Sequence, residues 1–327
     1  MKKALLLFLL ICTHQGLRAQ QDSQFTQYLF NGLHINPAYA GTKGDYYIQS
    51  FYRSQWQGVT GAPKSFSIAA DGSFYDGNVG LGLIVANDQI GAQSSLTAFA
   101  NYAYHLRLND EGNANLSFGL AAGMMQMGLN GSKLIEINPG DGAIIPYASQ
   151  TKIYPDARFG IYYSGKKYFA GISATNLVAR YMSDKNSNDF LVPVPEPHFY
   201  FSAGALFPLN DDIHIKPSIL VKDDIKGPTS VDFNAFFLIK ERVWIGSFYR
   251  GSYNIHNRNL QKNLPVNNSI GLITEIFATP DLRIGYSYDY SLGKLRGYGS
   301  GSHEISAGLY INKKDYKKTR LTRCYVF

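Results

Sequence analysis

The sequence predicts an all-β fold, a single antiparallel barrel of about fourteen strands, from three observations. Composition is the first: aromatics reach 14%, with 24 Tyr and 20 Phe, Gly counts 32, and charged residues are only 17%. Strand and turn formers therefore dominate, and the Glu, Lys and Ala of helical proteins do not. The second is a period of two. In "IGYSYDYSLG", residues 284–293, Ile284, Tyr286, Tyr288 and Tyr290 alternate with Gly285, Ser287 and Asp289, and only a strand turns such a pattern into two clean faces. The third is that the links between strands are sorted by parity, which a soluble sandwich has no reason to do.

From the start, Lys2-Lys3, the apolar run Ala4 to Cys12 and Leu17-Arg18-Ala19 read as a secretory signal over 1–19, too short to span a bilayer. Ile11 stands where a lipoprotein signal would want a small residue, and cleavage after Ala19 leaves Cys324 as the mature chain's one cysteine. No internal disulfide can then support the fold. Residues 20–45 read as a periplasmic or lumenal segment, irregular or shortly helical, with turn formers at Asn36-Pro37, Gly41 and Gly44 and with Phe25, Tyr28, Leu29 and Phe30 to pack it. The barrel follows over 46–311, its strands expected at 46–56, 65–73, 78–88, 94–108, 114–129, 156–164, 168–175, 198–207, 213–221, 230–239, 243–250, 267–277, 282–290 and 303–311. Residues 312–327 form a basic, periplasmic tail.

Links from even to odd strands are tight: "YDG", "NDEGN", "GKK", "PLNDD", "KER" and "ATPD". Links from odd to even strands are long, at 57–64, 130–155, 176–197, 222–229, 251–266 and 291–302, with one short exception near 89–93. Short periplasmic turns and long extracellular loops on an even number of strands are the pattern of bacterial outer-membrane barrels. The faces agree. Leu81, Leu83 and Val85, or Phe233 and Phe237, would meet outer-membrane lipid, while Gly80, Gly82, Asn101, Asp232 and Asn234 would face the lumen. Aromatics collect near strand ends (Tyr46, Trp56, Tyr102, Tyr104, Tyr249, Tyr288, Tyr290), where interfacial girdles belong. The opening tyrosines thus point to lipid.

The net charge of +7 divides into +3 in the leader, +5 in the tail and about −1 between, which leaves no basic body for nucleic acid. By alternation Arg53, Asp71, Arg107, Arg158, Lys216, Asp232, Glu275, Asp289 and Glu304 point inward, four basic against five acidic. An ion-selective pore would concentrate one sign; a mixed set cross-links the interior and suits a docking platform. No enzyme, metal or cofactor pattern stands out. The six mature histidines (His34, His105, His198, His214, His256, His303) lack metal-ligand spacing, and there is no GxSxG elbow or P-loop. "DKNSND", residues 184–189, places acceptors at alternate positions but lacks the turning glycine of a calcium loop.

"QFTQYLFNGLHINPAYAG", "YRSQWQGVTGAPKSFSIAADG", "VGLGLIVANDQIGAQ", "PDARFGIYY", "HFYFSAGALFPLNDDIHIKPSILVK" and "LRIGYSYDYSLGKLRGYGSGSHEISAGL" resemble the PorP/SprF family of the type IX secretion system across the mature chain. The ending "RCYVF" departs from the proline-bearing ending the family leads one to expect. The resemblance implies an outer-membrane barrel of type IX secretion or gliding that binds a secreted adhesin, through its C-terminal sorting domain, and retains it at the surface. It also implies contacts with secretion-machinery proteins. The alternatives are a core machinery component or a small diffusion pore. In the two longest loops Tyr147, Arg180 and Tyr181 are the expected partner contacts, because Tyr and Arg most often carry interface energy.

Overall fold

The computed structural model describes residues 25–44, 46–109, 114–134, 149–182, 192, 194–225, 227–256, 269–293, 297 and 299–311. The expected signal over 1–19, the expected tail over 312–327, Tyr147 and "DKNSND" lie outside these residues. Fourteen antiparallel strands close into one barrel. They are β1 (Tyr46–Ser54), β2 (Lys64–Phe74), β3 (Val79–Ile90), β4 (Gln93–Arg107), β5 (Asn115–Asn130), β6 (Ser149–Ser164) and β7 (Tyr168–Thr175). Then come β8, in two pieces (His198–Ala205 and Phe207–Pro208), β9 (Ile213–Asp223), β10 (Thr229–Ile239), β11 (Val243–Tyr253), β12 (Ser269–Phe277), β13 (Leu282–Ser291) and β14 (Ser302–Ile311). Neighbours in sequence are neighbours in the sheet, and β1 pairs β14 from Tyr46↔Ile311 to Ser54↔His303, so no edge is left open.

Closure is what lipid demands, since every wall N–H and C=O must be satisfied within the sheet. Among the described residues no helix is long and apolar enough to cross a membrane. Alternation holds along the strands. Leu83, Leu120 and Leu272 are more than half exposed on the outside, while Asp71, Asn101, Asp232, Ser287 and Asp289 are buried inside. Tyr46, Tyr102, Tyr104 and Tyr168 form an outward belt at the tight-turn end; Tyr249, Tyr253 and Tyr290 form another at the long-loop end. Bacterial barrels keep the former end periplasmic and the latter outside.

Two strands differ from expectation. β6 begins at Ser149, seven residues before the expected 156, and runs through Pro155. Over 149–158 it pairs with β5 but not with β7, whose pairing starts at Phe159↔Ala174. One side of that stretch carries no ladder, so a residue without an N–H fits. β8 is interrupted at Leu206, a buried residue whose N–H goes to the Lys167 carbonyl at 2.8 Å.

This topology predicts a protease result. On intact cells, cuts should fall in the long links 131–148, 176–197 or 254–268, and the folded protein should run at different apparent sizes on unheated and boiled SDS gels. Cleavage confined to the tight turns would mean that the barrel is inverted.

Candidate functional site

Residues 25–44 do not join the sheet. They pass through the lumen as a strap made of short turns at Tyr28–Phe30, Gly32–Ile35 and Pro37–Tyr39. Asn36 caps the last of these by accepting from Ala38 N–H at 2.9 Å, with Pro37 pre-set in the first position. The strap starts near the long-loop end, where Thr26 meets Arg53 of β1 and Glu304 of β14, and finishes at the tight-turn end beside Tyr46. Its aromatic residues pack on wall aromatics: Phe25 on Phe51 (6.0 Å between centroids), Phe30 on Phe236 (5.7 Å) and Tyr39 on Tyr162 (5.4 Å).

The wall is shaped for it. Inward positions on one side carry glycine, and a Cβ at Gly80 would overlap the Ala40 carbonyl, one at Gly119 the Ala38 backbone, and one at Gly160 the Asn36 side chain. Gly41 adopts φ +74°, with the Gly72 carbonyl and Gly80 Cα where its own Cβ would stand, so both conformation and space demand glycine there. The opposite side, β10 to β12, instead sends in Phe236, Leu238, Trp244, Phe248 and Ile273. Large side chains fill one half of the lumen and the strap fills the other.

Polar contacts fix the strap at both ends. At the outer end Glu304 accepts from Thr26 N–H (2.7 Å) and Gln27 N–H (2.9 Å), and Thr26 Oγ1 donates to Asp289 (2.7 Å). Arg53 pairs with Asp289 at 2.5 Å and Glu304 at 3.2 Å and also donates to Thr26 Oγ1. In the middle Asn36 donates to the carbonyls of Ile161 (3.1 Å) and Ile172 (3.3 Å), and Ser173 donates to that of Ile35 (2.5 Å). At the inner end Asp71 accepts from Gly41 N–H at 2.9 Å.

Of the nine inward charges expected, eight are buried. Besides Arg53, Asp71, Asp289 and Glu304, Asp232 takes a bidentate pair from Arg250 (2.8 and 2.7 Å), and Glu275 pairs with Arg283 at 3.3 Å. Arg158 lies 3.7 Å over the Phe99 ring, and Lys216 sits about equally far from Phe169 (5.5 Å) and Trp244 (5.4 Å). Arg107 is the correction: it falls at the exposed end of β4 and donates to the Asp76 carbonyl in the tight turn, away from the lumen. Arg250 and Arg283 are further buried lumenal charges, and alternation carries both, at 244-246-248-250 and 283-285-287-289. Lys43 had no such signal; it lies in the strap with Nζ 3.4 Å from the Tyr47 ring centre. Among the described residues no three His, Cys, Asp or Glu side chains group as a metal site would need.

At the outer mouth a short turn, Ala179–Tyr181, sits on the barrel rim. Asp156 of β6 accepts from Val178 N–H (2.8 Å) and Ala179 N–H (3.1 Å), and Ala179 is buried with Met127, Leu129, Tyr154 and Val192. The turn holds Tyr181 at 77% and Met182 at 57% exposure, with Arg180 exposed 5.5 Å from the Tyr181 ring. Asp156→Ala leaves two N–H groups without their acceptor, a local cost of roughly 1–3 kcal/mol. Protease should then cut link 176–197 faster while the heat-shifted band persists; an unchanged cutting rate would deny Asp156 this anchoring role.

The family described as "Type IX secretion system membrane protein PorP/SprF" matches residues 17–309. The chain belongs to the PorP/SprF family. Three solved structures are similar to this PorP/SprF barrel in shape. The CymD monoaromatic hydrocarbon channel gives a TM-score of 0.54 at 11% identity, covering 87% of this chain and 94% of the other, and supports the fold alone. Omp33 of Acinetobacter baumannii gives 0.47 at 7% identity, with coverage of 82% and 98%. BamA of Haemophilus ducreyi, lacking POTRA domains 1–3, gives 0.44 at 11%, with coverage of 82% and 70%. No curated protein matches. As a PorP/SprF member, the protein is an outer-membrane barrel of the type IX secretion system.

Proposed function

We propose that this PorP/SprF barrel retains a secreted, adhesin-like protein at the cell surface by gripping its C-terminal sorting domain at the outer mouth. The observation that carries this reading is the pinned turn at 179–181. A backbone turn held in place before binding loses less entropy on binding, and exposed Tyr, Met and Arg on that fixed base make an anchor for a partner surface. The occupied lumen weighs the same way, because a barrel filled by its own strap and by buried ion pairs suits a platform better than a diffusion pore. Tyr147, on the neighbouring long link, completes the proposed contact set.

The test is extraction in mild detergent from cells that secrete their full set of type IX substrates. The barrel should co-purify with one large secreted protein, and removing that protein's C-terminal domain should release it. A barrel that always emerges alone ends the proposal. A second reading, a core component of the secretion machinery, rests on the family alone; recovery with other machinery proteins and no secreted substrate would favour it.

A further inference from the structure

The strap fills one half of the lumen without being part of the wall. No residue of 25–44 contributes to the sheet, whose ladder closes through β1 and β14 without it. Its attachments are side-chain and capping hydrogen bonds and ring contacts, all of which can part while the barrel stays closed. Beneath it the wall is cut back to glycine at 80, 119 and 160, so the space left by its departure would not be filled by neighbouring side chains. Fourteen strands enclose more room than side chains fill in an eight-stranded barrel.

We propose that residues 25–44 are a removable seal, and that their withdrawal converts the barrel into an aqueous channel. The latch is the cluster of Arg53, Asp289 and Glu304 on Thr26 and Gln27, which ties the strap across the β1–β14 seam near the outer end. At rest the aromatic packing of Phe25, Phe30 and Tyr39 keeps the lumen shut. This goes beyond partner retention and does not depend on it.

Planar-bilayer recording on purified, folded protein tests the seal. The unaltered chain should carry no steady current. A chain lacking 25–40, and the latch variant Arg53→Met, which leaves Asp289 and Glu304 facing each other without their cation, should each show steady ohmic current, their folding checked by the heat-shifted gel band. An independent readout uses Ala38→Cys in a Cys324→Ser background, since Ala38 lies in the strap and is fully buried. A membrane-impermeant thiol reagent should modify it only when the latch variant is added. A steady current from the unaltered chain, or a folded strap deletion that stays silent, overturns the proposal. Where the deletion does not fold, the thiol decides: equal reactivity with and without the latch change also overturns it.

Discussion

Replacing Arg53 with methionine should destabilise the barrel by roughly 3–5 kcal/mol, because it strands two carboxylates that are buried and paired with one guanidinium. Arg53, Asp289 and Glu304 are each at most 5% exposed, and both acids hold other donors in place around Arg53. Removing the positive charge leaves Asp289 and Glu304 close together with no cation between them. The urea midpoint of the heat-shifted band, or of the fluorescence of lumenal Trp244, should fall accordingly. Adding Asp289→Asn and Glu304→Gln should restore most of the loss, since no uncompensated charge then remains. A neutral single variant, or a triple variant as weak as the single one, would show that the cluster is not the tie the geometry describes.

The second large effect is on binding. Replacing Tyr147, Arg180 and Tyr181 together with alanine should remove about 2–4 kcal/mol of partner affinity, roughly a 30- to 1,000-fold loss. Tyr181 is exposed and Arg180 lies beside it, so neither change opens a cavity in the barrel. The secreted partner should therefore appear in the medium while the heat-shifted band stays intact. A partner that remains on the cells would move the grip to the lumen or to the basic tail.

The barrel was legible because lipid imposes its rules on every strand. Alternation sorts Leu83 and Phe233 outward and Asp71 and Asp232 inward, and an even count of strands with links sorted by parity implies a closed barrel. Errors arose where local chemistry was overridden by context. Pro155 looked like a strand boundary, yet β6 runs through it because that stretch pairs on one side alone. Arg107 has inward parity but is the last residue of β4, where the strand end meets solvent. The strap's path was the least legible feature. Its three short turns have no period, and its seat is written as glycines on distant strands, such as Gly80, Gly119 and Gly160. An inward glycine reads as an ordinary small lumenal residue until the segment that needs its space is seen.

Where the partner sits is tested most directly by a photo-crosslinking amino acid placed in turn at Tyr181, on the outer mouth, and at Tyr75, 80% exposed in a tight turn at the other end. Illumination of intact cells should join the secreted partner to the barrel from position 181 and leave position 75 without an adduct. An adduct from position 75, or none from 181 in cells whose partner still co-purifies, would contradict the account.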